Sequence, residues 1–157
     1  KLANEKNALL VVDTNQAYLE GLLQYKPFLI KPNVAELAGV FKTSISNEDD
    51  IVEYARKLQE LGAQNVLVSN GSKGAILVAT NGVYFGEPIK GKRVNSIGAG
   101  DSMVAGFVCE WLNTKDYSKS LKMGLVCGAL TAFSERLARR NDILKRLPEA
   151  VVTYHKL

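Results

Sequence analysis

Three short apolar runs govern what this chain can fold into: "ALLVV" at residues 8 to 12, "FLI" at 28 to 30 and "VLVS" at 66 to 69. Each is followed at once by polar residues or by a polar and glycine-bearing turn. Apolar runs this short, without polar alternation, read as strands buried on both faces, the pattern of a sheet covered by helices. Helical patterns fill the spaces between them, over residues 16 to 23 and 34 to 40. The clearest is "SNEDDIVEYARKLQELGAQ". Ser46 or Asn47 can cap it, acids fill its first turn and Gly62 stops it. Ile51, Tyr54, Ala55, Leu58 and Leu61 recur at helical spacing and are expected to face the sheet.

Two further strands, "AILVA" and "GVYFG", are expected to form a hairpin through Asn81-Gly82. A helix is expected after Asp101, another from about Ser118 to Ala138, and one more in the tail through Leu147-Pro148. The alternation implies an α/β fold with a largely parallel sheet. Ligands in such folds bind beyond the C-terminal ends of the strands. The turns at Asp13, Asn33, Ser69 and Gly98 all lie at such ends, so they are expected to converge on one cleft.

Composition narrows the class. The chain has 157 residues, 46% hydrophobic and 23% charged, enough for one domain with a real core. Its formal charge of +4 is spread without a long Lys/Arg block, so nucleic-acid binding is not indicated. The run Arg136, Arg139, Arg140, Lys145 and Arg146 reads as a solvated helix face. Cys109 and Cys127 lie in apolar helical patterns and are expected to be buried, reduced thiols. The single histidine, His155, has no evident ligand partners, which argues against zinc. No run has the length of a membrane span, and "KLANEKNALL" carries no signal-peptide pattern. A cytoplasmic enzyme or binding protein is the expected class.

The segment "NSIGAGDSMVAGF", residues 95 to 107, carries the most chemistry. It fits neither a dinucleotide fingerprint, because Met103 stands at the third glycine position, nor a P-loop, because no Lys-Ser/Thr pair follows. What remains is a run of free N–H groups at a helix start, suited to an anion that develops during reaction. Asp101 beside it is either a plain helix N-cap or a base for a hydroxyl attacking a phosphoryl group. Met103 and Trp111 on the same helix read as core residues.

Taken together, "NSIGAGDSMVAGF", "KPNVAEL" and "VLVSNGSKGAILV" resemble the sugar kinases of the ribokinase (PfkB) family. Asn95 to Val108 matches that family's C-terminal signature, Asn33 and Glu36 its N-x-x-E element, and Ser69, Gly71 and Gly74 its nucleotide-binding turn. "VDT" at 12 to 14 and "KPFLIKPN" look most like its 1-phosphofructokinase branch, with tagatose-6-phosphate kinases as near neighbours.

The resemblance implies a ribokinase-like three-layer α/β/α sandwich and ATP-dependent phosphorylation of fructose 1-phosphate, with Mg2+. It implies Asp101 as catalytic base and the Gly98, Ala99 and Gly100 amides as anion hole. Ser69, Asn70, Gly71, Ser72, Lys73 and Gly74 would hold the nucleotide, and Lys31 could reach a phosphate. Asn33 and Glu36 would act on magnesium through water; the pair also fits a helix capping box, and the two roles are compatible. Gly128 to Phe133 would border the adenine, by position alone. Read on its residues without the family, Lys31 is a solvated lysine.

Members of that family are about twice as long. The resemblance therefore makes residues 1 to 157 the C-terminal nucleotide-binding and catalytic part, with the sugar-binding half and lid absent. The full-length protein would then be a possible homodimer. Such a half would expose sheet edge and apolar surface, and alone it is expected to turn over little or not at all.

Overall fold

The computed structural model of the chain describes residues 5, 6 and 8 to 156. Its elements, in order, are β1 (Val11–Val12), α1 (Gln16–Leu23), β2 (Leu29–Ile30), α2 (Val34–Phe41), α3 (Glu48–Glu60) and β3 (Asn65–Ser69). They continue with β4 (Ala75–Ala79), β5 (Gly82–Gly86), α4 (Ala99–Thr114), α5 (Tyr117–Ala132), α6 (Arg140–Arg146) and β6 (Val152–His155). The six strands form one sheet in the order β1-β2-β3-β4-β5-β6.

Side chains alternate across this sheet and split the core in two. Val12, Ile30, Val66, Val68, Ile76 and Val78 pack with Leu19, Leu37, Ala55 and Leu58 of α1, α2 and α3. Leu29, Leu67, Ala75, Leu77 and Tyr84 pack on the other face with Phe107, Leu121, Leu125 and Val126 of α4 and α5. Helices thus cover both faces, the three-layer α/β arrangement expected from the buried apolar runs.

Local signals explain most of the elements. Asn33 and Asn47 each cap a helix with a carboxylate three residues on, Glu36 and Asp50, returning a bond to the cap's own N–H. Between α4 and α5 the helices meet through glycines. A Cβ on Gly128 would lie 3.0 Å from the Ala99 carbonyl, and one on Gly124 2.9 Å from that of Met103.

Several expectations are corrected. The sheet is mixed rather than largely parallel: β1-β2-β3 pair parallel, while the β3-β4, β4-β5 and β5-β6 pairings are antiparallel. Turns as short as Gly71–Lys73 leave no room for the crossover a parallel pair needs. The strand β6 follows α6 where only a helical tail was expected. The run 8 to 12 yields only Val11–Val12, and the β4-β5 loop is Thr80-Asn81, with Gly82 already paired to Ala79. Leu61 is exposed because α3 ends at Glu60, and α5 ends at Ala132 rather than Ala138. There the Ala132 carbonyl accepts from Val94 and Asn95 N–H. Cys109 is exposed; Cys127 is buried, and that burial pushes its thiol up to about 11.

Candidate active site

The C-terminal ends of β1, β2 and β3 bring Asp13, Lys31, Asn33 and Ser69 together. Lys31 N–H donates to the Val12 carbonyl, Ser69 N–H donates to that of Pro32, and Asn33 forms a parallel bridge with Ser69. Lys31 is only 7% exposed, so the reading of it as a solvated lysine is wrong. Its ammonium is 3.3 Å from Asp13 Oδ2, and a buried cation requires such a partner. Burial raises the Asp13 pKa above its ordinary 3.8, against the lowering effect of Lys31; the charges of Asp101 and Glu36 add to the rise. All four charged groups therefore share one electrostatic neighbourhood.

Helix α4 aims its N-terminus into this neighbourhood. Gly98 is the N-cap, at φ +75°, a left-handed conformation that glycine adopts without a Cβ penalty. Asp101 is then the third helical residue and not the cap. It is exposed, with no hydrogen bond or ion pair from its side chain among the described residues. Ala99 N–H donates to the Ser96 carbonyl, so it is engaged, whereas the Gly100 and Asp101 N–H groups have no partner among the described residues. A Cβ on Gly100 would sit 3.1 Å from Lys31 Nζ, which places the buried ammonium beside the Gly100 backbone in the first turn of α4. Free donors, helix dipole and cation thus point at one spot, an arrangement that suits phosphate.

The remaining site expectations divide. Asn33 and Glu36 form the capping box: Asn33 Oδ1 accepts from Glu36 N–H at 2.8 Å, and Glu36 Oε2 accepts from Asn33 N–H at 2.8 Å. One Glu36 oxygen stays available. Asn70, Gly71, Ser72, Lys73 and Gly74 form the turn after β3, with Asn70 N–H donating to the Gly74 carbonyl. Gly71, at φ +56°, leaves open space above its backbone, which lets a ligand approach. Ser72 and Lys73 are exposed side chains without partners among the described residues. Gly128 spends its missing side chain on α4, and Phe133 packs over Gly91, so these two serve helix and loop packing.

Among the described residues no group of three His, Cys, Asp or Glu side chains could cage a metal. The donor set fits a magnesium ion carried on phosphate oxygens and water rather than one held by protein alone. The reading of the strand ends named Asp13 but gave it no role. The signal was present: an apolar strand ending in a carboxylate, level with the end of its neighbour.

Comparison with known proteins decides the family. The model of the pfkB family of carbohydrate kinases matches residues 1–142. The chain belongs to that family. A 1-phosphofructokinase of Bacillus subtilis is 41% identical over 149 residues, 95% of this chain and 49% of the relative. A D-tagatose-1-phosphate kinase of Klebsiella oxytoca is 33% identical over 150 residues, 94% of this chain and 49% of its own length. A crystal structure of a Staphylococcus aureus protein described as a phosphofructokinase superimposes with a TM-score of 0.93 at 35% identity, over 99% of this chain and 51% of that one. The chain spans about half the length of the curated relatives it matches.

Proposed function

We propose that this chain is the nucleotide-binding and catalytic-base part of an ATP-dependent kinase that converts fructose 1-phosphate to fructose 1,6-bisphosphate. The observation that carries the reading is the buried Lys31 ammonium beside the free Gly100 and Asp101 amides, with the Asp101 carboxylate exposed next to them.

Asp101 accepts the proton of the attacking sugar hydroxyl as that oxygen bonds to the transferred phosphorus. Charge gathering on the phosphoryl oxygens is met by the two amides and by Lys31, which is already in place and needs no reorganisation. The turn from Ser69 to Gly74 holds the rest of the nucleotide through its backbone. Asn33 sets Glu36, whose other carboxylate oxygen would hold the cation through water. Magnesium, when bound, neutralises phosphate charge.

The sugar lies outside what this chain contacts alone, and the rest of such a kinase covers the open edge of β1. An apolar groove of about 750 Å³ beside that edge, lined by Leu9, Val11, Phe28, Trp111 and Leu112, supports this view. So do the half-length matches. A second reading is phosphorylation of tagatose 1-phosphate, favoured by the 33% identical relative. That relative is named for the 1-phosphate, whereas the sequence suggested the 6-phosphate as the neighbouring substrate.

Isothermal titration of the chain with ADP and magnesium tests the reading. Binding that Gly100→Val abolishes, by driving side-chain atoms into Lys31, and that Asp101→Asn spares, is the expected result. A folded chain that binds no nucleotide overturns it. Turnover of fructose 1-phosphate by the isolated chain is expected to be near zero, because positioning supplies most of the rate in this chemistry.

A further inference from the structure

The modest charge of the whole chain hides a strong local asymmetry. Residues 90 to 97 and 134 to 140 hold Lys90, Lys92, Arg93, Arg136, Arg139 and Arg140 against one acid, Glu135. Six cations and one acid give +5, so with +4 over the full chain the other residues sum to −1. All six cations are exposed, and none forms an ion pair among the described residues.

The fold brings these two segments together and anchors them at the start of α4. Arg146 Nη2 donates to the Lys90 carbonyl at 2.7 Å, and Val94 N–H donates to the Ala132 carbonyl at 2.8 Å. Leu137 lies against Gly98, and a Cβ there would meet its Cδ2 at 3.4 Å. Ala138 N–H donates to Thr131 Oγ1, which donates to Ser102 Oγ at 3.0 Å. The second segment is therefore pinned to the first turn of α4, with Arg136 and Arg139 on either side of the contact. The first segment runs directly into Gly98. Arg93 is five residues before it, at most about 18 Å even along an extended chain.

We infer that these six cations form an electrostatic funnel that speeds the arrival of polyphosphate anions at the α4 N-terminus, without themselves holding the bound ligand. This rests on the proposed nucleotide site. The physical case is one of range. Exposed, unpaired charges contribute little to a contact but act over a Debye length, about 10 Å at 0.1 M salt and 30 Å at 0.01 M. Six cations flanking a binding site raise association rates by roughly tenfold to a thousandfold, acting here against the nearer acids Asp13, Glu36 and Asp101. A full ion-pair partner for each would cancel that field, and the segments carry only Glu135. Being solvated suits this role, because steering needs field and not contact.

Stopped-flow association of the full chain with a fluorescent N-methylanthraniloyl-ADP, and with the matching uncharged adenosine derivative, separates the alternatives. Arg139→Glu with Arg140→Glu should lower the association rate for the diphosphate by about tenfold at 20 mM salt and less than about twofold at 0.5 M. The dissociation rate should stay within about twofold, and the uncharged probe should be unaffected. Arg56→Glu with Lys119→Glu removes the same net charge elsewhere and should leave the association rate nearly unchanged. Arg139→Gln with Arg140→Gln should give about half the logarithmic effect.

Equal slowing by both charge-reversed pairs would make the effect one of net charge and would overturn the funnel. A faster dissociation with unchanged association would also overturn it, by making the arginines direct contacts. Absence of any diphosphate binding by a folded chain would overturn the nucleotide site itself, and the funnel with it.

Discussion

The two ends of the same strands are built on opposite terms. At the end where β2 and β3 begin, the buried polar side chain is matched at both its atoms. Asn65, fully buried, donates through Nδ2 to the Phe28 carbonyl at 2.7 Å and accepts through Oδ1 from Thr80 N–H at 3.3 Å. Around it Phe28 and Trp111 rings lie 5.3 Å apart, and Trp111 stacks on Tyr117 at 4.2 Å. At the end where those strands stop, among the described residues two helix amides are unbonded and Asp101 has no partner, while a lysine is buried against one carboxylate. The first end satisfies its groups and stabilises. The second leaves donors and charges available, which costs stability and makes binding possible.

That contrast can be broken by experiment. The largest expected effect is on stability, at the satisfied end. Asn65→Ala leaves the buried Phe28 carbonyl without its side-chain donor and the part-buried Thr80 N–H without its acceptor, and should cost about 2 kcal/mol, a fall of roughly 4–8 °C in the melting temperature. Nucleotide affinity of the protein that remains folded should be unchanged within twofold. A parallel loss of affinity would show that the two ends are energetically coupled.

At the other end the signs reverse. Gly98→Ala forces a Cβ into the left-handed region and should cost only about 1 kcal/mol. Its main effect should be on titrated nucleotide affinity, because it re-aims the Gly100 and Asp101 amides. A variant that loses stability but keeps affinity would remove those amides from the site.

The smallest effect is a pH dependence. Because Asp13 binds its proton more tightly folded than unfolded, its contribution to stability is fully present below pH 3.8 and is lost as pH rises through its raised folded pKa. Denaturation of wild type and Asp13→Asn from pH 3 upward should show this downward step only in the wild type. An equal slope in both would mean that another group carries it.

How much of this was legible in the sequence depends on the range of the signal. The helix caps at Asn33 and Asn47, the face of α3 from Ile51 to Leu58 and the glycine start of α4 were all readable, because each depends on atoms a few residues apart. The convergence of Asp13, Asn33 and Ser69 was also readable, since ligand-facing turns in a parallel α/β unit must fall at strand ends; Gly98 instead follows the loop after β5 and lies at no strand end. β6 was not, because an edge strand with one partner leaves no alternating apolar record: Val152 is half-buried and Thr153, Tyr154 and His155 are exposed. Nor was the solvent exposure of Cys109, which depends on how α4 turns against α5.

The sequence by itself determined most of the elements, the caps at Asn33 and Asn47, the glycine-rich start of α4 and the family signature around Asp101. Only the tertiary structure decided which way the later strands pair and what became of Lys31. A lysine's local sequence says that it is charged, and charge alone predicts solvent. Its burial depends on Asp13 and Gly100, distant in the chain: one supplies a countercharge, and the other has no side chain to occupy the space where the ammonium sits.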